Sequence, residues 1–229
     1  MKKILILLIT LVLASGMLFT SARALPVLLD FDMNPIQPSG ATISYAGGSA
    51  ALVGVDIGVD TVTGLNTPLN SGVTVDFHLT NPTDGAILSF TSGAFTSSGT
   101  GLWNFSGGGS LSVDLPLSGG GTLNLLSGTF LTAQVDSGIA GTYVDVSGFT
   151  DFKNTRLLNF YGLPTGIPYE GGLNLSFTTG GKAPGAFSST RVLSGDLTNS
   201  PIPEPATMLL LGSGLLGMGV YARRRFTKK

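Results

Sequence analysis

The chain has 229 residues, 42% of them hydrophobic and 11% charged, enough apolar material for one domain with a core once its two distinctive ends are set aside. It has no cysteine, which excludes disulfides, a thiolate nucleophile and cysteine-bound metals. Its one histidine, His78, falls short of a typical zinc or copper site. The formal charge of -1 hides an acidic middle: between Leu25 and Ile202, Lys153, Arg156, Lys182 and Arg191 stand against twelve acids, 4 − 12 = -8, which argues against nucleic acid and against a lasting hold on anionic lipid.

Residues 1–24 read as a secretory signal peptide. Lys2 and Lys3 form its positive start, Ile4 to Leu13 is an almost unbroken apolar run, and Ala22-Arg23-Ala24 is a small-x-small cleavage site. Cleavage after Ala24 makes Leu25 the new terminus and places the folded domain outside the cytoplasm.

Residues 25–200 show period-two alternation and no convincing amphipathic helix. Val73, Val75, Phe77 and Leu79 alternate with Thr74, Asp76 and His78. Leu111, Val113 and Leu115 alternate with Ser112 and Asp114, and Leu173, Leu175 and Phe177 with Asn174 and Ser176. Turn signals separate these runs at Gly47-Gly48, Asn81-Pro82, Gly107 to Gly109 and Gly119 to Gly121. The expected fold is all-β, an antiparallel sandwich-like domain of many short strands, with a barrel or β-helix as alternatives. The echo of Gly107-Gly108-Gly109-Ser110-Leu111 in Gly119-Gly120-Gly121-Thr122-Leu123 is expected to reflect successive strands and turns, since two copies do not make a solenoid. Trp103 and Phe105 are expected in the core, with an exposed sugar-binding platform as the alternative.

The middle nominates no catalytic set. Asp76 and His78 lie on the expected polar face of a strand, and no Gly-x-Ser-x-Gly elbow supplies a nucleophile. The Gly triplets are followed by no Gly-Lys-Ser/Thr, so they are not phosphate loops. Asp30-Phe31-Asp32 puts two carboxylates on one side of a strand, and Asp56 and Asp60 bracket a Gly-containing loop. Neither forms a recognised calcium pattern. No metal or cofactor is expected.

The last stretch, residues 201–229, has three parts. Pro201-Ile202-Pro203-Glu204-Pro205 is stiff and extended. Residues 206–222 are uncharged and apolar, about 25 Å long as a helix and at the short end of what crosses a bilayer core of about 30 Å. Arg223-Arg224-Arg225, with Lys228 and Lys229, holds the far end in the cytoplasm by the positive-inside rule. Gly212, Gly214, Gly217 and Gly219 leave a face that another membrane helix can approach closely.

Pro203-Glu204-Pro205, the uncharged helix and Arg223-Arg224-Arg225 together closely resemble the PEP-CTERM sorting signal of Gram-negative bacteria, with Ile202 where valine is common. The resemblance covers about 29 residues and does not extend into residues 25–200. It implies recognition by an exosortase, an integral-membrane, cysteine transpeptidase-like enzyme that cuts near Pro-Glu-Pro. A transient hold in the inner membrane then gives way to release towards the cell surface or the exopolysaccharide matrix. The expectation is therefore a non-enzymatic envelope or biofilm-matrix protein, structural or binding, with exosortase and exopolysaccharide as its partners. A secreted polysaccharide hydrolase using two carboxylates and a permanently anchored periplasmic protein are the alternatives.

Overall fold

In a computed structural model of the chain, the described residues are 26–33, 40–79, 85–99, 101–137, 142–178 and 185–202. The strands are β1 (Leu29–Met33), β2 (Thr42–Tyr45), β3 (Ala51–Val59), β4 (Thr61–Gly64), β5 (Thr74–Asp76), β6 (Ala86–Gly99) and β7 (Leu102–Phe105). They continue as β8 (Gly108–Pro116), β9 (Thr122–Phe130), β10 (Ala133–Asp136), β11 (Thr142–Lys153), β12 (Tyr169–Phe177), β13 (Phe187–Ser189) and β14 (Val192–Pro201). A 3-10 turn, Phe77–Leu79, and one helix, α1 (Thr155–Tyr161), complete the described elements. The expected signal peptide and the expected membrane helix, 206–222, lie outside the described residues, as does Asn81-Pro82. Among the described residues, no helix is long and apolar enough to cross a membrane.

All pairings are antiparallel and belong to one sheet. Six pairs of strands follow one another and share neighbouring ribbons: β1/β2, β3/β4, β5/β6, β7/β8, β9/β10 and β13/β14. With β11 and β12 they make eight ribbons, each paired with the next along the chain. The last ribbon pairs back onto the first, β14 on β1 and β13 on β2. The antiparallel all-β expectation holds, and the meander closes on itself as a barrel rather than stopping as two separate layers. Closure pairs the strand edges that a sandwich leaves bare.

Alternation explains the interior. Leu111, Val113 and Leu115 are buried, as are Leu173, Leu175 and Phe177, while the residues between them face outward. Trp103 and Phe105 are core residues. Trp103 meets Phe187 edge-on at 5.2 Å between ring centroids, its indole N–H donates to Gly185 O at 3.0 Å, and Phe105 meets Tyr45 at 5.3 Å. The run from Val73 to Leu79 departs from expectation. Only Thr74–Asp76 is strand, Val73 is exposed, and the chain turns in 3-10 geometry at Phe77, where the Asp76 carboxylate accepts from His78 N at 2.8 Å and turns the chain out of the sheet. Asp56 and Asp60 also differ from expectation: the segment between them is strand β3, not a loop, and Asp56 sits at a bulge with φ 54°.

The two Gly triplets have different jobs. Gly119 to Gly121 make the β8–β9 hairpin turn, where Gly120 N donates to Leu117 O at 2.9 Å. Gly107 to Gly109 break one ribbon between β7 and β8. A Cβ on Gly107 would lie 2.4 Å from Leu131 O, so only glycine lets the neighbouring backbone come this close. The echo is thus one kink and one turn.

Helix α1 is the element that alternation did not reveal. Its signals are local: Asn154 caps it by accepting from Arg156 N at 2.9 Å, and Gly162 ends it with φ 70°. Leu157, Leu158 and Tyr161 turn inward and close one end of the barrel, where Tyr161 Oη reaches Val62 O at 2.9 Å and Val73 O at 3.0 Å. Tyr161→Phe is expected to cost about 1–2 kcal/mol because it removes a buried donor. An unchanged urea midpoint would show that this contact contributes nothing.

Candidate sorting site at the tail exit

The tail leaves the barrel from a strand held on both edges. Pro201 stands opposite Tyr169 of β12, and Ile202 N donates to Pro168 O at 3.3 Å. Proline is tolerated there because the strand is ending and loses no ladder bond by lacking an N–H. On the other edge, Leu28 N donates to Asn199 O at 2.9 Å and Ser200 Oγ donates to Pro26 O at 2.7 Å. The chain's arrival after the expected signal cleavage and its departure into the tail therefore lie side by side, at the end that α1 closes. Only Ile202 separates β14 from Pro203. Beside the exit is an open depression of about 460 Å³ whose lining includes Val27, Leu131, Glu170, Thr198 and Ser200.

Beneath the exit, inside the barrel, lies a polar cluster. Phe149, Asp151 and Lys153 share the inward face of β11, and the Lys153 Nζ donates to Asp151 Oδ2 with both side chains fully shielded from solvent. Asn199 of β14 donates from Nδ2 to Asp151 Oδ1 at 3.2 Å, and the Tyr169 ring lies 4.5 Å from Lys153 Nζ. Burial pushes the Lys153 amine down to about 8, against the pull of Asp151. Burial likewise raises the Asp151 carboxyl, against the pull of Lys153, and burial with Asp151 nearby raises the Tyr169 hydroxyl to about 12. Gly171 makes the cluster possible. It lies between the two outer strands on β12, and a Cβ there would fall 2.4 Å from both Asn199 Nδ2 and Thr198 O. Gly171→Ala is expected to separate Asn199 from Asp151 and cost about 1–3 kcal/mol by overpacking. A urea melt of the purified domain checks this, and an unaltered midpoint counts against the close fit.

The sequence-predicted site residues divide by location. Pro203, Glu204, Pro205, Arg223, Arg224 and Arg225, with Ala22 and Ala24 of the signal cleavage site, lie outside the described residues. Asp30 and Asp32 share the outer side of β1 as expected, and β14 adds Asp196 directly opposite Asp32. Burial, then Asp196 and Asp32, raise the Asp30 carboxyl. His78 Nδ1 lies 3.7 Å from Asp60 Oδ1 and 3.8 Å from Asp76 Oδ1. Among the described residues no group of three or more His, Cys, Asp or Glu is placed to hold a metal ion. The Lys153–Asp151–Asn199 cluster was not singled out from the sequence. Its one signal was two opposite charges on the inward period of Phe149-x-Asp151-x-Lys153.

No curated protein and no solved structure matches the chain. Residues 201–225 match the PEP-CTERM protein-sorting motif, beginning at the last residue of β14. The chain accordingly carries a PEP-CTERM protein-sorting motif at residues 201–225, and that motif implies export and sorting by an exosortase.

Proposed function

We propose that this protein is a non-enzymatic component of the bacterial envelope or extracellular matrix, with structural or binding work to do there. In this reading the barrel is held briefly at the inner membrane by residues 206–222 and cut by an exosortase near Pro203-Glu204-Pro205. It is then released to the cell surface or the exopolysaccharide around it. The observation that carries the reading is the direct run from β14 into the matched motif, which leaves a folded barrel as the cargo and the tail as its address. The acidic middle of the chain suits a cargo that must not cling to anionic lipid.

The test begins with the mass of both mature ends. Removal of residues 1–24 and loss of Arg223 to Lys229 support the reading, whereas retention of the basic cluster in the final form makes the protein a permanent anchor. The released protein is then incubated with the host's own exopolysaccharide. Binding without turnover fits a matrix role. Sugar release abolished by Asp30→Asn or Asp196→Asn would replace that role with hydrolysis.

A further inference from the structure

Lys153, Asp151 and Asn199 lie outside the matched sorting motif, and they form a polar cluster almost wholly shielded from solvent. One carboxyl group, that of Asp151, holds the lysine amine on one oxygen and the asparagine carboxamide on the other. Two strands contribute, β11 and β14, with the glycine of β12 leaving the gap between them. Asn199 Oδ1 is buried and, among the described residues, has no hydrogen-bond partner. An orphaned acceptor of this kind is costly. A half-turn of the carboxamide brings that oxygen onto the Asp151 carboxyl, which can donate to it when protonated.

We infer that this cluster forms an intramolecular amide cross-link, in which the Lys153 amine displaces ammonia from the Asn199 carboxamide with Asp151 as the proton-transfer catalyst. The neutral Nζ attacks Asn199 Cγ while the Asp151 carboxyl gives its proton to the carbonyl oxygen. The resulting carboxylate takes a proton from Nζ and passes it to Nδ2. The carbonyl reforms as the Cγ–Nδ2 bond breaks, ammonia leaves, and the proton on the former carbonyl oxygen returns to Asp151. One N–C bond forms and one breaks, and no oxidant or cofactor is consumed.

The setting suits each partner. An amine attacks only when neutral, and burial shifts Lys153 towards that form. A carboxyl polarises a carbonyl only when protonated, and burial shifts Asp151 towards that form too. Water, which would compete, is excluded, since both side chains have no exposure. The product joins β11 to the strand that runs into the sorting tail. In a glycine-rich exported chain without cysteine, it occupies the place a disulfide holds in other secreted domains.

The test uses the released protein purified from cells, denatured and digested. The expected result is a branched peptide joining the Lys153 and Asn199 segments, lighter than their sum by one ammonia, with no tryptic cut after Lys153. Asp151→Ala is expected to return both segments as linear peptides of full mass. Asn199→Asp should give the same branched peptide with water as the leaving group. Linear peptides and a tryptic cut after Lys153 in the wild-type chain overturn the proposal. A branch that persists in Asp151→Ala overturns the role of Asp151. A second readout needs no variant. A free Lys153 has its folded value lowered from 10.5 to about 8, so the unfolded chain binds more protons in that window and stability rises as pH climbs through it. A cross-linked Lys153 no longer titrates, and the rise is absent.

Discussion

Trp103→Ala is expected to lower the stability of the barrel by about 3–5 kcal/mol, the range for emptying a buried aromatic site. Trp103 has no exposure and packs edge-on against Phe187 of β13, while its indole N–H satisfies Gly185 O. β7 and β13 belong to ribbons far apart around the barrel, so this one side chain ties distant arcs of the wall across the interior. A loss of that size is a large share of the roughly 5–15 kcal/mol that a domain commands. The cavity would also leave the Gly185 carbonyl without its donor. Urea unfolding followed by circular dichroism measures the effect, because the substitution removes the chain's only tryptophan and with it the fluorescence signal. Trp103→Phe, which keeps most of the ring and loses only the N–H, should recover more than half of the loss. Equal losses in the two variants would place the importance of the site in the hydrogen bond rather than in packing.

Replacing Pro203-Glu204-Pro205 by three alanines is expected to abolish processing of the tail and leave the chain at its larger, membrane-held size. The motif match begins at Pro201, within the last paired residue of the sheet, so a sorting enzyme meets these residues about one residue away from a rigid, two-sided strand. Proline disfavours helix and alanine favours it, so the substitution changes the local preference on which the proposed cut near Pro-Glu-Pro depends. Fractionation followed by immunoblotting against the barrel checks this, with an exosortase-deleted strain as the reference. Normal size and location in the alanine variant would separate sorting from the Pro-Glu-Pro element. A folding defect is distinguished by the urea melt of the same variant, which should match the wild type because the three residues follow the last described strand.

Taken alone, the amino-acid sequence was enough for the all-β class, for the strands β8 and β12 and for the sorting motif. Period-two alternation is local: Leu111, Val113 and Leu115 declare an inward face whatever they pair with, and the tail's three blocks act through composition and order. The sequence also held the cues for α1, in Asn154 and Gly162, but seven residues are too few for a periodic pattern to stand out beside the strands around them. The alternation through Val73 to Leu79 misled because a carboxylate–backbone bond at Asp76 can end a strand that hydrophobicity alone would continue.

Only the tertiary structure decided the rest. Closure of the meander depends on β14 finding β1 across most of the chain, and no window of sequence carries that pairing. The same closure set Pro26 beside Ser200, so that both ends leave from one pole. It also brought Asn199 to Asp151 and Lys153 across a glycine. In the sequence these were an asparagine near a tail and two charges in a strand. Burial inside a closed barrel made them a reactive cluster, because removing water changes what an amine, a carboxyl and a carboxamide do to one another.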